Sequence, residues 1–297
     1  MAEFGSYSRG SEFLRISQPA VSRQVRRLEE ELGSALFERH GQGVTLTEAG
    51  RILLERSQAV LRQLERTKAE IRSGKPGPSG TISFAVPPAA GNFLVPELVR
   101  RFSAAYPNVF LRIVPGFSGH IHEWLVRGQV DLACAHDPLP QRGFEITPLI
   151  SEEIFLAGKP GTLPRRRYVG IKDLADLPLI LPGRPNASRR LLDSWVAQHR
   201  TSLHVKIEVD DHSVIRALVR QGEGFTLLTR AAVDAEIAHG EVQVLPFRPR
   251  ATWTLALIVS ADAARSDIVS IFARTVRDVA RELTAAGAWP GRSLDQS

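Results

Sequence analysis

The chain of 297 residues has one cysteine, Cys134, one methionine and three tyrosines. A single thiol excludes an intramolecular disulfide and any metal site built from several cysteines. It leaves nothing to resolve an oxidised Cys134, and the surrounding Leu-Ala-Cys-Ala favours a small buried hydrophobe. No apolar run approaches the roughly 20 residues a bilayer span requires. The amino-terminus carries no basic-then-apolar leader, so a cytoplasmic setting is expected. Nucleophile elbow, phosphate loop and metal cluster are all missing, so no catalytic residue, metal or cofactor is expected and the chain does not look like an enzyme. Isolated candidates have plainer explanations. His120 and His122, two apart at a helix start, point to different faces. Asp210-Asp211-His212 suits a helix cap, and Gly222-Glu223-Gly224 closes a helix and opens a strand, the reverse of a dinucleotide fingerprint. Arg165-Arg166-Arg167 suits a solvated loop.

What is present is an ordinary globular composition, 43% apolar and 24% charged, with a formal charge of +6. The excess of arginine makes an anionic partner plausible. The length fits two domains or one large one. Residues 1 to about 73 are rich in Arg, Glu, Gln, Leu and Ser; the Gly/Pro/Ser cluster Ser73 to Gly80 follows as a linker; from Thr81 short apolar runs alternate with helical patterns, the texture of an α/β domain.

In the first zone Ser8–Leu14 and Ser17–Leu32 are helical. Ser17 is placed to cap the second, and Pro19 is tolerated in its first turn. Val21, Val25, Leu28 and Leu32 make one apolar face, leaving Ser22, Arg23, Arg26 and Arg27 on the remaining surface. Glu29-Glu30-Glu31 would be solvated or paired with arginines. A Gly-x-Gly turn, Gly41 to Gly43, predicts a hairpin. Thr47 then caps a long helix on which Gly50, Leu53/Leu54, Ser57, Val60/Leu61, Leu64, Thr67/Lys68 and Ile71 form a coiled-coil seam. Two helices joined by a tight turn, the second starting SQPAVSRQ, fit a helix-turn-helix that lays its second helix in the major groove. Gln18 and Arg23 suit base edges; Ser17, Pro19 and Ser22 lie at the same end; Arg26, Arg39 and His40 would add phosphate or minor-groove contacts.

SQPAVSRQ, LEEELG-x-x-LFER and VTLTEAG, in this order and spacing, resemble the N-terminal domain of LysR-type transcriptional regulators. The resemblance continues through nearly the whole chain. It implies an α/β protein with a winged helix-turn-helix (1–46, incomplete), a dimerising linker helix (47–73), a flexible linker (74–80) and a two-lobed, periplasmic-binding-protein-like effector domain (81–297). Lobe I would comprise about 81–150 and 261–297, lobe II about 151–260. It implies double-stranded promoter DNA and a small-molecule effector as partners, assembly as a homodimer and homotetramer, and RNA polymerase as a further partner. Carried over by position, the effector-binding residues are Ala89, Ala90, Ser118, His136, Asn186, Ser188 and Thr226. Ala89-Ala90 stands where many members place Ser or Thr, so backbone N–H groups of Gly91 and Asn92 are expected to hold the effector, a small anionic metabolite. GFSGHIHEWLVRGQVDLA also resembles a subgroup of nitrogen-assimilation regulators. The competing reading is a cytoplasmic small-molecule-binding protein whose DNA-binding arm does not function.

The family normally has an additional bracing helix, whereas here Met1-Ala2-Glu3-Phe4 enters almost at the turn before Ser6. Gly10 and Ser11 stand where alanines are usual, and glycine costs about 1 kcal/mol in a helix interior. A start assigned too late is preferred over true truncation. The 297-residue form is then expected to hold DNA weakly. A form extended upstream should bind its operator more tightly in a gel shift, and equal affinity would contradict this.

Overall fold

The computed structural model describes residues 1–2, 4–41, 43–73, 78–184 and 186–294; the side chain of Arg39 and several on the long helix, Thr67 and Ile71 among them, lie outside that description, as do linker residues 74–77. The chain divides into two compact units, Met1–Lys68 and Ala69–Ser297.

The first unit begins with α1 (Tyr7–Leu14) and α2 (Gln18–Leu32). Ser6 caps α1 through its side chain, and Arg15 leaves the helix in the left-handed region at φ 55°. Ser17 occupies the N-cap of α2 in extended backbone, but its hydroxyl makes no capping bond. Only the start of the expected apolar face is covered: Val21 is buried and Val25 half-buried, whereas Leu28 and Leu32 are 38% and 47% exposed.

β1 (Phe37–His40) and β2 (Gly43–Leu46) pair antiparallel, Phe37 opposite Leu46 and His40 opposite Gly43. The acidic run at the end of α2 is not simply solvated. The Glu29 carboxylate accepts from the backbone N–H of Leu36 at 2.8 Å and of Phe37 at 3.3 Å, which ties the hairpin to the helix. A carboxylate that accepts two amides satisfies groups the short hairpin cannot satisfy itself.

Thr47 caps α3 (Glu48–Ser73) as its position predicts, its hydroxyl accepting from Gly50 N–H at 3.0 Å and donating to Ala35 C=O at 2.6 Å. Gly50 does not belong to the seam. It is buried where the helix meets the hairpin, and a Cβ there would lie 2.1 Å from the Leu36 carbonyl oxygen. Farther along, Leu53, Leu54 and Ser57 are half-buried, while Val60, Leu61, Leu64 and Lys68 are exposed.

In the second unit β3 (Gly80–Val86), α4 (Pro88–Ala105), β4 (Val109–Pro115), α5 (Ser118–Val126) and β5 (Leu132–His136) alternate. The strands lie in the order β4-β3-β5, all parallel. Both faces are covered, so the strands are apolar on both sides. Ile82, Phe84, Leu132 and Cys134 face α4; Ala85, Ala133 and Ala135 face Ile121 and Leu125 of α5. Cys134 is fully buried in this core, and burial pushes its thiol pKa far above the usual range.

β6 (Phe144–Gly158) then runs for 15 residues through two sheets. Its first part, Phe144 to Glu153, pairs antiparallel with β11 (Thr252–Ser260), with a bulge at Leu255/Ala256, and β11 pairs with β5. Its last part pairs with β9 (Thr226–Thr229) and β10 (Gln243–Pro246). The second lobe adds β7 (Leu179–Leu181) parallel to β8 (Val205–Glu208), with α6 (Ala187–His199), α7 (His212–Gln221) and α8 (Arg230–Ala238). Asp211 caps α7 with bonds of 2.7 and 3.1 Å to Ser213 and Val214 N–H, and Gly222 ends it at φ 89°. α9 (Asp267–Ala285) returns to the first lobe, where Phe272 meets Phe84 and Phe102 at ring-centroid distances of 5.5 and 4.9 Å. Last, β12 (Arg292–Ser293) pairs with β6 at Ser151 and Ile150.

Replacing Glu29 by Ala should loosen the hairpin, costing about 1 kcal/mol in the first unit and speeding hydrogen exchange at Leu36 and Phe37. Gly50→Ala should be more damaging, since backbone rather than a flexible side chain blocks the added Cβ. Thermal unfolding checks both; an unchanged midpoint for Gly50→Ala would refute the close approach.

Candidate nucleic-acid interface and ligand cleft

At the start of α2, Ser17, Gln18, Pro19, Arg23 and Arg26 are all exposed and Ser22 is half-buried. The hydroxyl of Ser17 is not consumed by capping. Its carbonyl accepts from Ala20 and Val21 N–H at 2.9 and 3.1 Å, so the helix is closed by backbone alone. A helix N-terminus with an idle hydroxyl suits phosphate. Among the described residues Arg23, Arg26 and Arg27 have no carboxylate partner within 4.0 Å, so none need break an ion pair to meet an anion. His40 is exposed at the hairpin tip, its Nε2 2.9 Å from Thr45 Oγ1. The backbone of Arg39 lies in the same strand.

The second unit holds a cleft between its lobes. Six of the nine effector-binding positions expected from sequence line it: Ala89, Ser118, His136, Asn186, Ser188 and Thr226. Three do not. α4 already starts at Pro88, so Ala90 turns into the core, where it is 1% exposed, and Asn92 turns to solvent. The Gly91 N–H cannot hold an anion, because it donates to Pro87 C=O at 2.8 Å within the helix.

Sequence reasoning missed the aromatic part of the wall. Phe117, His212 and Trp253 all line the cleft. Phe117 precedes α5 in the first lobe and His212 opens α7 in the second; their ring centroids lie 4.9 Å apart. His136 and Trp253 form a second ring pair at 4.9 Å. His136 also places Nε2 2.8 Å from Glu152 Oε2, while Trp289 Nε1 donates to the other carboxylate oxygen at 3.1 Å. Glu152 is 1% exposed, a buried carboxylate whose two oxygens are both engaged. The period-two pattern of β6 could have signalled it, since Glu152 falls in phase with the buried Ile150 and Ile154.

Helix ends supply the cleft's electrostatics. Residues at or next to the N-caps of α4, α5, α6, α7 and α8 all line it. Asn186 caps α6, accepting from Ser188 N–H at 3.0 Å and Oγ–H at 2.7 Å. Pro87, Phe117 and Thr229 make no side-chain cap, so the positive ends of α4, α5 and α8 are left to other partners. Among the described lining residues there is no Lys, Arg, Asp or Glu.

Burial, with smaller contributions from His136 and Arg216, pushes the His212 pKa down from 6.5 to about 4; the neighbouring Asp211 opposes the shift. A depressed imidazole pKa means the folded protein resists a proton the unfolded chain accepts. Stability is therefore complete above pH 6.5 and falls as pH drops toward about 4. His212→Phe should flatten the melting temperature against pH across this window; a slope matching the native protein would contradict it.

The residues of both units match known protein families. Residues 1–51 match the bacterial regulatory helix-turn-helix protein, lysR family, and residues 75–281 match the LysR substrate binding domain. The HTH-type transcriptional regulator BbuR of Bordetella bronchiseptica is 32% identical over 98% of this chain and 90% of its own. The nitrogen assimilation regulatory protein nac of Escherichia coli is 30% identical over 78% of this chain and 76% of its own. A full-length OxyR variant from Pseudomonas aeruginosa superposes with a TM-score of 0.67 at 26% identity, covering 98% of this chain and 93% of its own. With a helix-turn-helix unit, a two-lobed ligand domain and these relatives along nearly its whole length, the chain belongs to the LysR family of transcriptional regulators.

Proposed function

We propose that this regulator reads promoter DNA with the first turns of α2 and answers to a small molecule held between the lobes of its second unit. The observation that carries the DNA assignment is the exposed start of α2, with no capping bond from the Ser17 hydroxyl and with arginines that have no carboxylate partner among the described residues. Gln18 and Arg23 contact base edges in the major groove. Ser17 and Ser22 meet phosphate or base, Pro19 holds the first turn in helical shape, and Arg26, Arg39 and His40 add backbone contacts that carry affinity more than sequence information. Exposed Val60, Leu61 and Leu64 support α3 as a dimerising arm, and dimers pair into a homotetramer.

Ala89, Ser118, His136, Asn186, Ser188 and Thr226 line the effector site, together with Phe117, His212 and Trp253. An effector that prefers the closed cleft shifts the population toward it. The altered placement of DNA-binding units then changes how the promoter bends and how RNA polymerase gains access to it. The protein works where its promoter DNA is, in the cytoplasm, and by binding rather than catalysis.

Arg23→Ala should weaken binding to the promoter next to its gene by about tenfold or more, and Ser22→Ala by less, with calorimetric effector binding intact. A gel shift checks both. Normal operator binding by Arg23→Ala would displace the recognition surface from this helix. Binding by an intact-length protein no tighter than to random DNA would favour a ligand-binding protein whose helical arm does not read DNA.

A further inference from the structure

The cleft wall contains two sealed polar atoms with no hydrogen-bond partner among the described residues, Nε1 of Trp253 and Nδ1 of His212. Trp253 is 8% exposed, so solvent does not satisfy its N–H. Buried polar groups are rarely left unpaired, and one that lines a cleft marks where a ligand's polar atom belongs. Both atoms sit on rings, and each ring has a neighbour: Trp253 beside His136, His212 beside Phe117, at 4.9 Å between centroids in each pair. Four rings on one small cleft favour a flat partner that offers its faces and edges to them.

Charge narrows the class. With no Lys or Arg among the described lining residues, the positive potential comes from helix N-termini, three of them without a side-chain cap. These carry partial charges that suit one carboxylate. With no full cation beside them, they favour a singly charged group over one carrying two charges. His136 is engaged by the carboxylate of Glu152, and His212 has the helix-capping Asp211 before it and Arg216, paired at 2.8 Å with Glu236, on its own helix.

We propose that the effector is a planar aromatic monocarboxylate with a hydroxyl-type ring substituent: its ring lies among Trp253, His212 and Phe117, its substituent pairs with the two idle ring nitrogens, and its carboxylate rests on the uncapped N-termini of α4, α5 and α8. This rests on the reading of the cleft as the effector site. Neutral His212 can donate or accept at Nδ1, and a hydroxyl can answer either way.

Calorimetry on the full chain with salicylate, benzoate, salicylamide, succinate and inorganic phosphate tests the class. Salicylate should bind. Benzoate, without the hydroxyl, and salicylamide, without the charge, should each bind about tenfold more weakly; succinate and phosphate should bind about a hundredfold more weakly or not at all. Trp253→Phe, which keeps a ring but removes the N–H, should cost salicylate about tenfold and leave benzoate nearly unchanged. The proposal is overturned if succinate or phosphate rivals salicylate, if salicylamide matches it, if Trp253→Phe changes nothing, or if no probe binds. Ala232→Trp, which fills the cleft, separates this failure from that of the cleft itself. Loss of an aliphatic acid's binding in that variant keeps the cleft and removes only the aromatic class. Binding that survives it removes the cleft as the site. Ala89→Leu, on the opposite lobe, fills the same space should Ala232→Trp not fold.

Discussion

The antiparallel pairing of β6 with β11 is the constraint on which the second unit depends. These two strands belong to the first lobe's sheet, and β6 continues without a break into the sheet of the second. Both carry hydrogen bonds along most of their length, so this crossing ties the two lobes together. The crossing also builds the cleft's floor. Trp253 stands opposite Glu152 in the register, so the indole that lines the cleft and the buried carboxylate beneath His136 are set by one ladder. A slip of one residue in β11 would turn Trp253 to the other face of the sheet.

Around that floor, the family architecture is reached with little charge inside. The walls are helix ends, and their caps differ. Asn186 and Asp211 close α6 and α7 with their own oxygens, whereas α4, α5 and α8 begin at Pro87, Phe117 and Thr229 without side-chain caps. Two of the five ends are thus neutralised locally, and the rest project their dipoles into the same space. The burial that holds His212 neutral follows from the closed arrangement of Phe117 and α7, which joins residues far apart in sequence.

Much of this was legible in the residues. The alternation of apolar runs and helical patterns located β3 through β5, and TWTLALIVS marked β11 from end to end. Local chemistry fixed the Thr47 cap, the Asp211 cap and the Gly222 stop. Long-range partners were another matter. Nothing local shows that Glu29 reaches the hairpin amides, that Gly50 meets a carbonyl from Leu36, or that Glu152 pairs with Trp289, 137 positions away. The one-turn error at Gly91 and Asn92 has a similar root. Residues after Pro87 suited a loop, but Pro88 starts a helix at once and rotates them out of the cleft. The aromatic wall escaped notice because Phe117, His212 and Trp253 come from three separate elements.

The Glu29 staple has a further consequence for how such a regulator can diversify. It fastens the hairpin near the end of α2, about two to three turns along the helix from Gln18, Ser22 and Arg23. The residues that hold the unit together and those offered to bases are therefore different sets on one helix. Substitutions at the outer set leave the fastening intact, so a lineage can drift toward a new operator while its scaffold keeps its shape.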